Sequence, residues 1–222
     1  MPEHTHTSDN AHEICTLCGH AQSTFLDRDK QRAYYQCANC QLVLVPSRFH
    51  LSPEEEKAIY DYHENDPEDQ GYRQFLQRLA TPLMAKLPEG AQGIDVGCGP
   101  GPTLSRLLQE AGFRCTLYDP FYYPDKTVLS TRYDFVCATE VVEHFCQPKA
   151  GFDQLFSLLK PGGVLGIMTK TIPEFKRFSQ WHYTRDLTHV SFYAKQTLAW
   201  IADHYGCTLS ILRSDTAIFE RQ

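Results

Sequence analysis

Residues 92–120 read QGIDVGCGPGPTLSRLLQEAGFRCTLYDP. The apolar run Ile94 to Val96 stops in a glycine-rich turn, Gly97-Cys98-Gly99-Pro100-Gly101. Leu104, Leu107, Leu108 and Ala111 then recur at helix spacing. A second apolar run, Cys115 to Tyr118, ends on Asp119. Strand, glycine turn, helix, strand and acid in that order describe the nucleotide-binding half of a doubly wound α/β domain. Glycine lets the backbone turn tightly and lets a ligand approach where a Cβ would stand. An acid at the tip of the following strand can accept both hydroxyls of a ribose. The competing, blander reading is a tight βα turn followed by a surface aspartate.

The glycine spacing is G-x-G-x-G, not the dinucleotide G-x-G-x-x-G, and Asp95 stands two residues before the first glycine. This D-x-G-x-G-x-G form resembles the first motif of class I S-adenosylmethionine-dependent methyltransferases. The resemblance implies that Asp95 and the turn (Gly97, Cys98, Gly99, Gly101) hold the amino-acid end of the cofactor. Asp119, with Pro120 after it, would hold the ribose. It also implies a seven-stranded, mostly parallel Rossmann-like sheet ending in an antiparallel hairpin. Strands are expected at 93–96, 114–118, 127–130, 133–138, 163–169, 207–213 and 216–220. Helices are expected at 102–112, 147–160 and 195–205, and Pro161-Gly162-Gly163 reads as a turn into a strand.

Working outward, residues 90–222 form this domain and three segments precede it. Residues 1–12 read as a disordered tail whose three histidines, His4, His6 and His12, are solvated. Residues 13–50 read as a zinc ribbon. Cys15-Thr-Leu-Cys18 and Cys37-Ala-Asn-Cys40 are two C-x-x-C knuckles with 18 residues between them, and Phe25 to Arg28 and Ala33 to Gln36 read as short strands in that interval. A hairpin that brings four thiolates to one point suits tetrahedral Zn²⁺. A unit this small buries little core, so the metal would supply much of its folding energy. Four metal-free buried thiols, or a redox pair, are the alternatives. Residues 51–89 read as a helical linker or cap. It opens on Ser52-Pro53-Glu54-Glu55, and Tyr72, Phe75, Leu76, Leu79, Leu83 and Leu87 recur at helix spacing. Asp66 to Asp69 separates two helices. By the same resemblance such helices cover the cleft, where Tyr60, Tyr62, His63, Asn65 and Tyr72 either line it or seat the helices on the core.

Composition bounds the function. The chain has 222 residues, 42% apolar and 22% charged. No run of about 18 apolar residues appears, so no membrane span is expected. The start, MPEHTHTSDNAHE, lacks an apolar signal region. Nine cysteines in such a chain read as metal ligands and buried thiols in a cytoplasmic protein, not as disulfides. A net charge of −6 argues against a broad nucleic-acid surface.

A second cluster follows the strand Tyr133 to Ala138: Thr139-Glu140-Val-Val-Glu143-His144. Ligands of doubly wound folds sit at the carboxyl ends of strands. On one helical turn Glu140, Glu143 and His144 share a face. Downstream, residues 181–193 (WHYTRDLTHVSFY) are aromatic and charged, and His189 lies within them. Glu140, Glu143, His144 and His189 together could hold Mg²⁺, Mn²⁺, Fe²⁺ or Zn²⁺ as a second divalent cation. E-V-V-E-H with the later histidine resembles two groups. These are the O-methyltransferases of ubiquinone biosynthesis and the small-RNA 3′-terminal 2′-O-methyltransferases. The glycine motif, K-P-G-G and T-H-V-S-F-Y together look most like bacterial relatives of the first group. In the plainer reading Thr139 and Glu140 contact the cofactor and the acid caps the following helix, while His144 and His189 are satisfied polar residues or, with Glu143, act as base or substrate contacts.

The methyltransferase resemblance favours O-methylation of a small molecule. N-P-P-Y, expected for methylation of an amide or adenine nitrogen, is absent. The alternatives are an RNA or protein acceptor docked by the ribbon, whose Arg28, Lys30 and Arg32 are locally basic, and a non-catalytic cofactor-binding regulator. Arg185 and Asp186 read either as contacts for a charged substrate group or as loop scaffolding.

Overall fold

The structure, a computed structural model, describes residues 13–62 and 66–222. The tail with His4, His6 and His12, and the cleft candidates His63 and Asn65, lie outside the described residues.

The first cysteine knuckle leads into β1 (Ser23–Arg28), which pairs antiparallel with β2 (Ala33–Cys37) across a polar turn. The second knuckle turns the chain into β3 (Val43–Leu44), which pairs with β2. A fourth strand completes this sheet from far along the chain: β8 (Ser191–Phe192) lies antiparallel to β3. The cysteine unit is therefore built into the rest of the molecule and shares its sheet with the segment that carries His189.

Two helices follow. Helix α1 (Pro53–Tyr60) starts at Ser52, whose hydroxyl accepts from the Glu55 N–H while the Glu55 carboxylate accepts from the Ser52 N–H. Helix α2 (Gln70–Met84) is capped by Asp69 and buries Leu76, Leu79, Ala80 and Leu83 at helix spacing.

The main sheet has β4 (Gln92–Val96), β5 (Arg114–Tyr118), β6 (Tyr133–Thr139), β7 (Leu159–Met168), β9 (Cys207–Arg213) and β10 (Thr216–Arg221) in the order β5-β4-β6-β7-β10-β9. Strands β5, β4, β6 and β7 are parallel, and β10 runs antiparallel between β7 and β9. Residues alternate between two faces, as the strand period demands. Phe135, Cys137, Val164, Met168 and Ile218 face α2 and α3 (Thr103–Glu110). Ile94, Val136, Ala138, Leu165, Ile167 and Phe219 face α4 (Pro148–Ser157), α5 (Lys195–Tyr205) and the cysteine unit. In β4, Gly93 leaves room for the Phe135 ring, which a Cβ would meet at 2.1 Å.

Two expectations are corrected. Among the described residues the sheet has six strands, not seven, because residues 126–130 form a 3₁₀ turn capped by Asp125. Three polar or small residues in that stretch give a helical turn more than a pleated, half-buried surface. Pro161-Gly162-Gly163 lies inside β7 and not before it. Leu159 pairs with Tyr133 and Val164 with Phe135, so extra β7 residues bulge out against Asp134, with Gly162 at φ +73°.

The order reverses at β4: α3 carries the chain to β5 on one side, and β6 lies on the other. A crevice forms at the carboxyl ends of β4, β5 and β6. The segment between β7 and α5 folds over it as two 3₁₀ turns, Phe178–Gln180 and His182–Arg185, packed with β3 and β8 around Tyr34, Phe178, Tyr183 and Phe192. Among the described residues no helix is long and apolar enough to cross a membrane.

Candidate active site

The crevice is a cavity of about 580 Å³. Its floor is the glycine turn. Gly97 sits at φ +72° and Gly99 at φ +65°, both left-handed values that favour glycine. A Cβ on Gly97 would also lie 2.5 Å from Val141 Cγ2, so the turn is closed against the β6 loop. Asp119, at the tip of β5, is buried and pulls three N–H groups together. Oδ2 accepts from Gly99 at 3.0 Å, and Oδ1 accepts from Phe121 at 2.8 Å and Tyr122 at 3.0 Å. Cys98, Pro120, Thr139 and Glu140 also line the cavity.

Asp95 and Gly101 do not line it. The Asp95 side chain turns away, is almost fully buried, and accepts from the Ser105 hydroxyl of α3 at 2.8 Å. Burial pushes its carboxyl up to about 7, against the pull of Ser105. Gly101 contributes its carbonyl, which accepts from the Thr103 N–H at the start of α3. Both residues shape the turn from behind.

The cavity also carries residues of the second cluster. Glu140 holds φ +52° at the end of β6, a strained value for a side-chain-bearing residue. It is followed by a short 3₁₀ turn, Val142–His144. The expected helical turn with three residues on one face does not form. Glu143, His144 and His189 meet, with ligand atoms within 4.8 Å of one another, while Glu140 falls outside that group. Tyr183 joins the acids: its hydroxyl donates to Glu143 and, at 3.3 Å, to Glu140. Burial raises the Glu143 carboxyl to about 8, helped by the neighbouring Glu140, and raises Glu140 to about 7 against the pull of Lys170 and Tyr183. One oxygen of each, Glu140 Oε1 and Glu143 Oε2, is buried without a hydrogen-bond partner.

Both imidazoles are oriented by backbone. His189 Nδ1 donates to the Tyr183 carbonyl at 2.9 Å, and His144 Nδ1 donates to the Thr188 carbonyl at 3.2 Å. Nε2 is then the basic nitrogen of each ring. The ring centroids are 4.8 Å apart, and Asp186 Oδ2 lies 3.8 Å from His189 Nε2. Burial lowers the His189 pKa below the ordinary imidazole value, so the ring is neutral at neutral pH.

Aromatic residues close the rest of the cavity. Tyr60 sits edge-on to His144 at 5.4 Å and near Phe121 at 5.9 Å, and Tyr72 and Tyr122 complete that wall. Tyr62 does not contribute and is 86% exposed. Arg185 is exposed outside the cavity, whereas Asp186 lines it. Tyr183 was not singled out by sequence, since one tyrosine in an aromatic loop carries no spacing signal.

The four cysteines of the N-terminal unit converge. Cys15 and Cys40 Sγ are 3.5 Å apart, as are Cys18 and Cys37, and all four sulfurs lie within 4.8 Å of one another. A tetrahedral ion with Zn–S bonds of about 2.3 Å sets sulfurs about 3.8 Å apart, so the four fit such an ion. Of the basic residues in this unit, Arg28 and Lys30 are exposed and Arg32 is 3% exposed.

Residues 62–210 match a family described as "Methyltransferase domain". A malonyl-[acyl-carrier protein] O-methyltransferase of Enterobacter lignolyticus is 26% identical over 157 residues, 60% of this chain. The chain spans 61% of the length of that curated relative. Among solved structures, a Burkholderia thailandensis 1,6-didemethyltoxoflavin-N1-methyltransferase, with bound 1,6-didemethyltoxoflavin and S-adenosylhomocysteine, shares the fold. The TM-score is 0.53 at 15% identity, covering 89% of this chain and 99% of that one. A Pyrococcus horikoshii OT3 protein is similar at a TM-score of 0.52 and 16% identity, covering 78% of this chain and all of that one.

Proposed function

The chain belongs to this methyltransferase-domain family, and we propose that it is an S-adenosylmethionine-dependent methyltransferase acting on an oxygen of a small, neutral, hydroxyl-bearing molecule. One observation carries the reading. Two imidazoles, each with Nδ1 tied to a carbonyl, line the same aromatic-walled cavity as the glycine turn.

When bound, S-adenosylmethionine supplies a methyl group already activated on a sulfonium. The glycine turn, Cys98, Pro120, Thr139 and Glu140 are the residues proposed to hold it, and Asp119 would accept from its ribose. His189, neutral through burial, would take the proton of the acceptor hydroxyl on Nε2 as the oxygen attacks the methyl carbon. His144 beside it would orient the same hydroxyl. Tyr60, Tyr72, Phe121 and Tyr122 would exclude water and fix the line of approach. Burial raises the Glu143 carboxyl to about 8, which favours His189 over it as the base. With a divalent cation present, Glu143, His144 and His189 would be its ligands. Both imidazoles then have the carbonyl partners that metal-bound histidines use, and the unpartnered Glu143 Oε2 would gain one.

Charge selects the acceptor. Glu56, Asp119, Glu140 and Asp186 line the cavity, and among the described residues no lysine or arginine does. An acceptor that bears its own carboxylate would meet these acids with no lysine or arginine in the lining to pair with it. Of the ribbon's three basic residues, Arg32 is buried and committed to protein carbonyls, which leaves only Arg28 and Lys30 exposed to meet an RNA. Zn²⁺ held by Cys15, Cys18, Cys37 and Cys40 would be structural, since a closed four-thiolate site leaves no open position.

The test is incubation with methyl-labelled S-adenosylmethionine and a cell extract, followed by partition of the label. The reading expects label in the small-molecule fraction, reduced at least 100-fold in His189→Ala. Label confined to nuclease- or protease-sensitive macromolecules would overturn it.

A further inference from the structure

Arg32 lies in the turn before β2, outside the cavity, yet it is 3% exposed and every one of its five N–H donors is used. Nε donates to the Tyr34 hydroxyl at 3.1 Å. Nη1 donates to the carbonyls of Leu187 at 3.0 Å and His189 at 2.8 Å. Nη2 donates to the carbonyls of Thr184 at 2.8 Å and Asp186 at 2.7 Å. Four of the six carbonyls between residues 184 and 189 thus converge on a single guanidinium from the cysteine unit. A loop folded so that its carbonyls point inward to one spot has no other donor of that number and planarity to satisfy them.

The wrapped loop presents the acceptor wall. Asp186 and His189 line the cavity, and the Thr188 carbonyl orients His144. The loop is also anchored at its exit. The Val45 N–H donates to the Val190 carbonyl at 2.9 Å, and β3 pairs with β8 directly after it. On its own side Arg32 is held by Asp29. The Tyr34 hydroxyl donates to Asp29 Oδ2 at 2.5 Å, and Arg32 Nε lies 4.0 Å from the same oxygen.

We propose that Arg32 is a positioning residue for methyl transfer: through the carbonyls of Thr184, Asp186, Leu187 and His189 the cysteine ribbon sets the place of the His189 imidazole on the acceptor side of the cavity. The ribbon then serves the reaction as a brace for the catalytic wall, not as a docking module for a macromolecule. This rests on the reading that His189 acts on the acceptor.

Lysine keeps the charge of Arg32 but brings three donors on one atom, which cannot span four carbonyls in a plane. Arg32→Lys in the full chain is therefore the test, with Tyr34→Phe as its companion. Tyr34→Phe removes the Nε acceptor from the same buried cluster and leaves the four carbonyl bonds intact. Two readings that need no acceptor decide it. The first is the ¹H–¹⁵N correlation of the His189 ring, which reports the Nδ1–H given to the Tyr183 carbonyl. The second is amide hydrogen exchange over residues 184–190. Arg32→Lys is expected to shift or split the His189 ring signal and to speed exchange in 184–190 at least tenfold. Exchange over 92–119, and the affinity for S-adenosylmethionine by calorimetry, should stay within twofold. Tyr34→Phe should leave the ring signal in place. An unmoved ring signal in Arg32→Lys, or an equal shift in both variants, overturns the proposal. If the lysine variant does not fold, the same readings on Arg32→Gln decide between these outcomes. Failure of the underlying reading would show elsewhere, as full labelled transfer by His189→Ala.

Discussion

Asp119 and Asp95 show how two acids of one motif come to different work. Asp119 gathers the N–H groups of Gly99, Phe121 and Tyr122 and stays on the cavity surface. Replacing it with alanine releases the glycine turn and, on the proposed reading, removes the ribose acceptor. Asp119→Ala is expected to weaken S-adenosylmethionine binding by at least tenfold in calorimetry, about 1.4 kcal/mol; unchanged affinity would defeat the assignment. Asp95 faces the other way, and its raised pKa gives a stability prediction. The folded-state value of about 7 stands above the ordinary 3.8. The folded protein therefore keeps a proton that the unfolded chain gives up. That contribution is fully present below about pH 4 and is lost as the pH rises toward 7. Asp95→Asn keeps an acceptor for Ser105 and should flatten the fall in melting temperature between those limits. An identical pH profile in the variant would show that Asp95 does not titrate there. The sequence placed both acids at strand ends but held no information on which way Asp95 turns. That depends on Ser105 ten residues later, across a turn whose shape only the fold defines. Tyr183 was hidden for a similar reason: its importance comes from lying between Glu140 and Glu143, a long-range contact with no local pattern.

At the scale of elements, signals with a strict period were legible and those set by pairing were not. The knuckles, the Ser52 capping box, the α2 stripe and the strand–turn–helix unit around Gly97 follow local geometry, and each is where its spacing puts it. The two-residue strand β8 and the bulge in β7 exist only because a partner strand lies beside them. The glycine turn yields a sharp prediction. Alanine at Gly97 must hold φ +72° and place Cβ 2.5 Å from Val141 Cγ2, while left-handed backbone alone costs about 1–2 kcal/mol. Gly97→Ala is expected to lower the melting temperature by several degrees and to abolish detectable cofactor binding. Binding at wild-type affinity would mean that the turn adapts. In the cysteine unit, Cys37→Ser should release one equivalent of zinc and expose β1–β3 to protease. A variant that retains stoichiometric zinc and full protease resistance would refute a four-thiolate site.

On the scale of the whole molecule, the N-terminal unit and the methyltransferase domain share one sheet and one core. Cys15, Leu17, Tyr35 and Leu42 pack in the same cluster as Phe152, Tyr193 and Leu198. A chain read linearly divides at about residue 50, because composition and spacing change there. The folded chain does not divide there, because β8 returns to β3 and Arg32 reaches the 184–189 loop. On the proposed reading the acceptor wall draws on Tyr60, His144 and His189, braced from Arg32, and the cofactor floor on residues 97–119. That division of labour is most directly examined by a crystal structure with S-adenosylhomocysteine bound. The ribose is expected within hydrogen-bond distance of Asp119, the amino-acid end on the Gly97–Gly99 turn, and the sulfur facing His144 and His189. A ligand whose sulfur points away from those imidazoles, or that binds outside the cavity, would contradict it.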